Sequence, residues 1–490
     1  MTTISSIQLA GEPARQGTQD WDGDETDPGV LAARAAAELP PGFVLGAATS
    51  AYQIEGAVAA DGRRPCIWDT FAATPGKTWR GESGDPACDH YQRYADDVSL
   101  MAEIGLGAYR FSVAWPRVVP TGQGPVNAAG IAFYDRLVDK LLAAGIDPWI
   151  TLYHWDLPQE LQDQGGWSER DTAYRFADYA NIVAEALGDR VRHWSTLNEP
   201  WCSAFEGHMS GRHAPGIQSP VTTVRTVHHL LLGHGLATAA LRSRGAADVG
   251  ITLNLIPAEP ADDSPGAHDA ARLVDGQQIR VFLDPLLRGR YPDDVVADFA
   301  RAGARLPITG DDAQLIAAPI DWIGVNYYSP HIVAPGPDPG RRSPFIPGDA
   351  ITQVGSTENV TALGWPVRPR SFAALLRRLH RDYPEVPLYV HENGAAFHDA
   401  VSPDGTVDDP DRRWYIARHL DVVRAAVRDG VDVRGYFAWS LMDNYEWAEG
   451  YRMRFGIVHV DFATQRRTLK SSARWYSNLI QAHRKPRGPA

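Results

Sequence analysis

Two glutamates, Glu199 and Glu392, are the residues of this sequence whose positions most directly suggest chemistry. Each ends a short hydrophobic run, WSTLNE in one case and PLYVHE in the other. Burying a carboxylate without a partner costs several kcal/mol, so a purely structural glutamate at such a position needs an arginine beside it. For a single glutamate the structural and chemical explanations are equally good. Two glutamates in equivalent positions favour a pair of carboxyl groups that act together.

Polar and aromatic side chains also stand at the ends of the other predicted strands. They are Gln53, Arg110, His154, Trp155, Asn198, Asn326, Tyr328, Trp439, Glu446 and Trp447. Aromatic faces can stack on the apolar faces of sugar rings, and amide, imidazole and carboxyl groups can bind sugar hydroxyls. Paired carboxylates in such surroundings suit glycoside hydrolysis, in which one acid protonates the leaving oxygen while the other attacks or activates water.

Other chemistries of comparable folds lack their key residues in this sequence. A Schiff-base or pyridoxal-phosphate enzyme needs a lysine on a strand, and the four lysines all lie elsewhere. No HExxH motif, Walker loop or dinucleotide-binding loop occurs. His228, His229 and His234 fall within a predicted helix without the spacing of a metal site, which favours packing or surface roles. The sequence therefore predicts neither a metal nor a cofactor.

Eight short runs rich in β-branched, aromatic and small residues would position these side chains. They are Phe43–Ser50, Gly107–Val113, Ile146–His154, Arg192–Asn198, Val249–Leu255, Asp321–Tyr327, Pro387–Glu392 and Asp432–Ser440. Such runs are typical of strands buried on both faces. Helical patterns occur at Asp89–Ile104, Ile131–Ala144, Asp171–Leu187, Val221–Ser243, Ser371–Tyr383 and Asp411–Arg428. Eight strands alternating with helices predict an α/β fold, a single (β/α)8 TIM barrel, with an open doubly wound sheet as the alternative.

The chain length predicts one large barrel with long connections. A plain barrel needs about 250 residues, and this chain has 490. The excess falls mainly in βα loops at about 55–88, 328–370 and 441–470. We expect a flexible N-terminal tail over residues 1–38, the barrel over 39–482 and a short C-terminal tail over 483–490.

Composition and charge exclude several classes of protein. Hydrophobic residues make up 44% of the chain, which argues against wholesale disorder, and the formal net charge of -13 argues against nucleic-acid or anionic-membrane partners. The three cysteines, Cys66, Cys88 and Cys202, fit neither a disulfide framework nor a zinc site. With no signal-like apolar run, we expect a soluble, cytoplasmic protein.

Seven motifs, in this order along the chain, carry a family resemblance. They are FVLGAATSAYQIEG (43–56), YRFSVAWPR (109–117), LYHWDLP (152–158), TLNEP (196–200), VNYYS (325–329), HENG (391–394) and WSLMDNYEWAEGYRMRFGIVHVDF (439–462). From about Pro41 to Ala482 the chain resembles the retaining β-glycosidases of glycoside hydrolase family 1. The resemblance implies the same (β/α)8 fold and a double displacement at a β-glycoside.

The resemblance also implies roles for individual residues. Glu199 is the expected general acid/base and Glu392 the expected nucleophile. The implied glycone site consists of Gln53, His154, Asn198, Glu446, Trp447 and, beneath the sugar ring, Trp439. Arg110, Asn326 and Tyr328 would orient the nucleophile. Trp365 resembles the aglycone-site tryptophan, and Trp155, Tyr328 and Phe455 complete the expected substrate-binding residues.

The expected reaction proceeds through a covalent glycosyl ester on Glu392. In retaining enzymes the carboxyl groups lie about 5–5.5 Å apart, and repulsion from ionised Glu392 should raise the pKa of Glu199. A glutamate at position 199 also argues against the related thioglucosidases, which carry glutamine there. His391 replaces the threonine of many members and could shift the pH profile.

A glutamate at position 446 narrows the expected substrates to unphosphorylated sugars. A carboxylate there would repel a 6-phosphate and accept hydrogen bonds from sugar hydroxyls. The partner is therefore expected to be a small, unphosphorylated β-glucoside or cello-oligosaccharide, with β-galactosides and β-fucosides as side substrates. An enzyme that mainly transfers the sugar to another acceptor and a non-catalytic sugar-binding barrel are the alternatives.

Overall fold

The computed structural model describes residues 27–337, 343–348, 351–356 and 359–485. Eight parallel strands close into a barrel, which confirms the predicted fold and excludes the open sheet. The barrel strands are β1 (Val44–Ala48), β2 (Ala108–Ser112), β3 (Asp147–Tyr153), β4 (His193–Asn198), β5 (Asp248–Asn254), β6 (Trp322–Asn326), β7 (Leu388–Asn393) and β8 (Val433–Trp439). The barrel closes where β1 pairs with β8, from Val44 opposite Gly435 to Ala48 opposite Trp439.

Helices follow the strands, and six of them lie where the sequence predicts helices. The longer ones are His90–Ile104, Ala128–Ala143, Asp171–Leu187, Pro220–Ser243, Pro265–Asp275, Val281–Arg288, Asp293–Arg301, Pro369–Asp382, Pro410–Arg428 and Ser471–Arg484. In Asp171–Leu187 the buried positions include Phe176, Tyr179, Val183 and Leu187, spaced three or four residues apart. This spacing gives the helix one apolar face, which it buries against its neighbours.

Large aromatic side chains fill the barrel interior below the carboxyl ends of the strands. Trp149, Trp322 and Phe437 pack there with ring centroids 5.2–5.6 Å apart for the pairs that involve Trp149. The lack of a side chain at Gly250 leaves room for the Trp322 ring, because a Cβ there would lie 2.4 Å from it. The interior is therefore a packed core and not a pore.

The long βα loops form additional sheets above the barrel. One sheet contains Ala258–Pro260, His331–Pro335 and Ile351–Gln353, and a hairpin joins Val458–Asp461 to Arg466–Leu469. Three βα loops thus contribute ordered structure at the end of the barrel where the strands terminate.

The predicted N-terminal tail is wrong for its last eleven residues, because Pro28–Glu38 is a helix. Asp27 caps it and proline stands in its first turn, a helix-start pattern that the prediction overlooked. Leu31 and Ala35 are buried, and Trp475 Nε1 donates to the Pro28 carbonyl oxygen at 3.0 Å. The rest of that tail, residues 1–26, lies outside the described residues.

The predicted C-terminal tail starts too early for a similar reason. The helix Ser471–Arg484 continues through the first two tail residues, and Leu479 and Ile480 bury its apolar face. Residues 486–490 lie outside the described residues. Within the described ranges, no helix combines the length and apolarity needed to cross a membrane.

Candidate active site

Irregularities at the ends of two strands place both glutamates. Val390 on β7 pairs with Val325 on β6, but the next pair joins Glu392 to Asn326, so β7 contains one extra residue at this point. A similar shift affects β4 just before Asn198. An extra residue in a strand re-aims the side chains that follow it. On β7 both His391 and Glu392 therefore face the barrel interior, whereas regular alternation would turn one of them outward.

Both oxygens of the Glu392 carboxylate accept hydrogen bonds. Arg110 Nη1 donates to Oε1 at 2.5 Å, and the Tyr328 hydroxyl donates to Oε2 at 2.7 Å. Burial, followed by the charge of Glu392, raises the pKa of Tyr328 well above 10, so the phenol keeps its proton. Arg110 also donates to Asn198 Oδ1 at 2.6 Å. The arrangement holds Glu392 as an oriented anion.

Glu199 directly follows β4 and has a different environment. Its φ angle of 46° lies in the left-handed region, where a non-glycine residue is strained. Asn326 Nδ2 donates to Oε1 at 2.7 Å, and Cys202 Sγ donates to Oε2 at 3.2 Å. Burial, and next the charge of Glu392, raise the pKa of Glu199 to about 8. The expected rise is thus present, but burial contributes more than the repulsion that the sequence suggested.

A cavity of about 630 Å³ opens above the two carboxyl groups. Ten of the predicted site residues line it: His154, Trp155, Glu199, Tyr328, Trp365, Glu392, Trp439, Glu446, Trp447 and Phe455. The other four, Gln53, Arg110, Asn198 and Asn326, are fully buried and contact lining residues. The structure therefore brings the whole predicted set together around one cavity.

Aromatic rings form the inner wall of this cavity. The His154 ring lies 5.9 Å from both Trp439 and Trp447 and within 20° of parallel to each. Trp155 and Trp447, both with positive φ, pack with ring centroids 4.5 Å apart. Asn198 Nδ2 donates to His154 Nε2 at 3.0 Å, which fixes the imidazole. These contacts make a rigid surface suited to the face of a sugar ring.

Carboxyl and amide groups stand at the edge of the inner wall. Gln53 Nε2 donates to the Tyr445 carbonyl oxygen at 2.8 Å and lies 3.5 Å from Glu446 Oε2. Burial, and next the charge of Glu449, raise the pKa of Glu446 to about 8. Near neutral pH this carboxyl group can both donate and accept hydrogen bonds.

Three further aromatic side chains line the cavity. Trp365 packs against Tyr328 with ring centroids 5.7 Å apart and against Phe455 at 6.2 Å. These rings come from the loops after β6 and β8.

Several cavity residues were not among the predicted ones. They include Trp201, Cys202, Glu206, Arg212, His213 and Asn254. Cys202 had a usable signal, because it comes three residues after Glu199 and side chains at that spacing share one side of a helical turn. Asn254 had one too, because it lies at the end of a predicted strand. Trp201, Glu206, Arg212 and His213 depend on the loop after β4 folding back over the cavity.

His391 lies below the cavity in the barrel interior. Its Nδ1 is 2.8 Å from Thr252 Oγ1, and Trp322 packs against its ring at 4.7 Å. Burial, and next the charge of Arg110, hold the pKa of His391 well below 6.5. His391 therefore stays neutral near pH 7. Among the described residues, no group of three or more His, Cys, Asp or Glu side chains is arranged to hold a metal ion.

Comparison with known proteins gives consistent results. The family model described as "Glycosyl hydrolase family 1" matches residues 35–485. A thermostable β-glucosidase B from Thermobispora bispora is 53% identical over 455 residues, covering 92% of this chain and 93% of the relative. A bifunctional β-D-glucosidase/β-D-fucosidase from Bifidobacterium breve is 47% identical, covering 91% and 98%. The crystal structure of a psychrophilic β-glucosidase from Micrococcus antarcticus matches with a TM-score of 0.89 at 48% identity, covering 92% and 99%.

Proposed function

The chain belongs to glycosyl hydrolase family 1, and on that premise we propose that it is a retaining β-glucosidase acting on small, unphosphorylated β-glucosides. The observation that carries this proposal is the unequal environment of the two glutamates. Arg110 and Tyr328 hold Glu392 as an anion, while burial and the neighbouring charge keep Glu199 protonated near neutral pH. Two carboxyl groups of opposite protonation state are what a double displacement needs.

In the first step Glu392 attacks the anomeric carbon while Glu199 donates its proton to the leaving oxygen. The bond between the anomeric carbon and that oxygen breaks, and an ester to Glu392 forms. Tyr328 and Arg110 orient the attacking oxygens. The aromatic wall of His154, Trp439 and Trp447 would hold the sugar ring.

In the second step water takes the place of the aglycone. Ester formation removes the charge of Glu392, and with it the repulsion that contributes to the raised pKa of Glu199. Glu199, now ionised, can take a proton from water as the water oxygen bonds to the anomeric carbon and the ester bond to Glu392 breaks, which releases the Glu392 carboxylate. The glucose product leaves with its original configuration, and both carboxyl groups return to their starting states.

The surroundings of Glu446 support an unphosphorylated glycone. Glu449, Glu392 and Glu199 all interact electrostatically with it, and Arg212 partly offsets them. A 6-phosphate would add two negative charges to this group of carboxyls. A sugar hydroxyl could instead exchange hydrogen bonds with Glu446 in either protonation state.

Initial rates on five chromogenic substrates test the proposed function. These are the β-glucoside, β-galactoside, β-fucoside, α-glucoside and 6-phospho-β-glucoside. We expect the β-glucoside to be cleaved efficiently, the β-galactoside and β-fucoside more slowly, and the last two hardly at all. Preference for the phosphorylated substrate would overturn the role given to Glu446. No cleavage of any of the five would overturn the proposed activity.

Glu446→Gln gives a matched variant for this panel, because it keeps the size of the side chain but cannot ionise and replaces one carboxyl oxygen with an NH2 donor. A sugar hydroxyl that loses its acceptor oxygen on Glu446 costs about 1–3 kcal/mol, so kcat/KM for the β-glucoside should fall about tenfold to a hundredfold. The ratio of phosphorylated to unphosphorylated rates should rise. An unchanged ratio would show that Glu446 does not set this selectivity.

We also propose a reducing, cytoplasmic location. The three cysteines, all buried and unpaired, support it.

A further inference from the structure

The two oxygens of Glu199 receive hydrogen bonds from different parts of the fold. Oε1 accepts from Asn326 at the end of β6, and Oε2 accepts from Cys202 in the helical segment Cys202–Ser210. The carboxyl group cannot rotate about its long axis without losing at least one of these bonds. Cys202 thus supplies one of the two side-chain hydrogen bonds that orient this group.

Backbone bonds fix the position of the thiol relative to the carboxyl group. The Cys202 N–H donates to the Glu199 carbonyl oxygen at 2.9 Å, and the Glu199 N–H donates to the Thr252 carbonyl oxygen at 2.9 Å. Asn254 Nδ2 in turn approaches Cys202 Sγ at 3.6 Å. Thr252 and Asn254 both belong to β5, so a rigid strand supports both ends of the thiol-to-carboxyl bond.

We propose that Cys202 is a positioning residue for Glu199, whose thiol hydrogen bond aims the acid/base at the leaving oxygen. This inference rests on the proposed function. Cys202 borders the cavity but acts through Glu199, and it takes no part in bond making or breaking. Losing its thiol should impair proton transfer more than attack by Glu392, because the nucleophile has separate supports in Arg110 and Tyr328.

The charges around this pair favour a thiol that keeps its proton. Burial, and next the charge of Glu199, raise the pKa of Cys202 well above 9. The groups facing Glu199 are Arg110, Tyr328, Glu392, Glu446 and Cys202, and those facing Cys202 also include Glu206 and Arg212. The protonated thiol is a donor that stabilises the ionised form of Glu199. Its removal should therefore raise the pKa of Glu199.

Cys202→Ala in the full-length protein tests the inference with two substrates of different leaving-group ability. Cellobiose needs a proton at its leaving oxygen, whereas 2,4-dinitrophenyl β-glucoside has a leaving group that departs without one. Since general acid catalysis contributes about a hundredfold or more, partial loss of alignment should reduce kcat/KM for cellobiose about tenfold. The value for the dinitrophenyl substrate should fall less than about threefold. The alkaline limb of kcat/KM for cellobiose should move to higher pH.

Cys202→Ser keeps a donor and should restore most of the cellobiose activity and return the alkaline limb towards its original position. Cys88→Ala is the matched control, because it removes another buried thiol, one that donates to the Asp443 carbonyl oxygen at 3.1 Å. In the control, the ratio of the kcat/KM values for cellobiose and the dinitrophenyl glucoside should change by less than about twofold. If Cys202→Ala does not fold, Cys202→Val, which fills more of the space and lacks a donor, replaces it in the same comparison.

Equal losses on both substrates, or an unmoved alkaline limb, would overturn this inference while leaving the proposed function intact. Failure of the unmodified protein to cleave either substrate would instead overturn the proposed function. The two failures are therefore distinguishable.

Discussion

Arg110 and Glu392 form an ion pair inside the barrel, with Nη1 and Oε1 2.5 Å apart and both side chains at most 3% exposed. The second guanidinium nitrogen donates to Asn198 Oδ1, on the residue directly before Glu199. The Arg110 guanidinium on β2 thereby links the ends of the two strands that position Glu199 and Glu392. A pair so deeply buried depends on both partners, because removing one leaves an uncompensated charge.

Glu392→Gly should abolish turnover and destabilise the protein. Loss of the attacking oxygen should reduce kcat by at least about a thousandfold, and the unpaired Arg110 should cost about 3–5 kcal/mol of unfolding free energy. Added formate should bind beside Arg110 and attack an activated β-glucoside from the face that Glu392 used. Rates and product configuration with formate test this expectation.

With formate the first product should carry the α configuration. A neutral alcohol of similar size is the control, because it cannot pair with Arg110 and should give little rescue. Activity close to that of the unmodified enzyme without any added anion would show that Glu392 is not the nucleophile.

Glu199 should set the alkaline limb of the pH profile. Only its protonated form can donate to the leaving oxygen, so kcat/KM for an unactivated glucoside should fall as the pH rises through about 8. Glu199→Gln should remove this limb and slow unactivated substrates at least about a hundredfold. The rate of the first step with a dinitrophenyl glucoside should change much less. A limb that persists in the variant would assign it to another group.

His193 should stabilise the protein in a pH-dependent way. Its Nε2 lies 3.0 Å from Asp147, and its Nδ1 also pairs with Asp248. Burial lowers the pKa of His193, but the hydrogen bonds to these carboxylates outweigh burial and raise it to about 9. Because the folded pKa exceeds the unfolded one of about 6.5, this contribution is complete below about pH 6.5 and is lost as the pH rises through about 9.

His193→Gln measures that contribution. At pH 6 the variant should be less stable in urea by about 2–3 kcal/mol, and the difference should shrink by pH 10. A difference that stays constant between these pH values would mean that packing against Trp149, and not charge, accounts for the role of His193.

His391→Thr should leave both limbs of the pH profile where they are. The imidazole is neutral across the working range, because burial and the charge of Arg110 keep its pKa well below 6.5. The variant should instead lose stability, because threonine leaves space beneath Trp322 and beside Gly324. His391 packs closely against this glycine, since a Cβ added at Gly324 would lie 2.6 Å from His391 Nδ1. A limb displaced by half a pH unit or more, about 0.7 kcal/mol, would contradict this expectation.

The sequence predicted the barrel well because its strands are buried on both faces. Runs such as Ile146–His154 are rich in apolar and aromatic residues, and in a helix like Asp171–Leu187 the apolar residues recur every three or four positions. Pro28–Glu38 was missed because its many alanines and nearby acids resemble a mobile tail. What stabilises this helix is contact with residues such as Trp475, far away in the sequence.

The sequence identified which residues form the site but not how they are arranged in space. The motifs named the two glutamates, yet local pattern does not show the register shifts that turn Glu392 and Asn198 inward. These shifts depend on how neighbouring strands pair. Cysteine spacing predicts disulfides and metal sites but not a thiol that donates to a carboxyl group, so the sequence pattern does not identify the role of Cys202.

The configuration of the first-formed sugar tests the central claim most directly. Proton NMR during the first minutes of hydrolysis of an aryl β-glucoside, before mutarotation, distinguishes the two anomers of glucose. A double displacement through Glu392 predicts that β-glucose appears first and the α anomer follows as mutarotation proceeds. Initial appearance of α-glucose would contradict the account, because it would mean a single displacement by water.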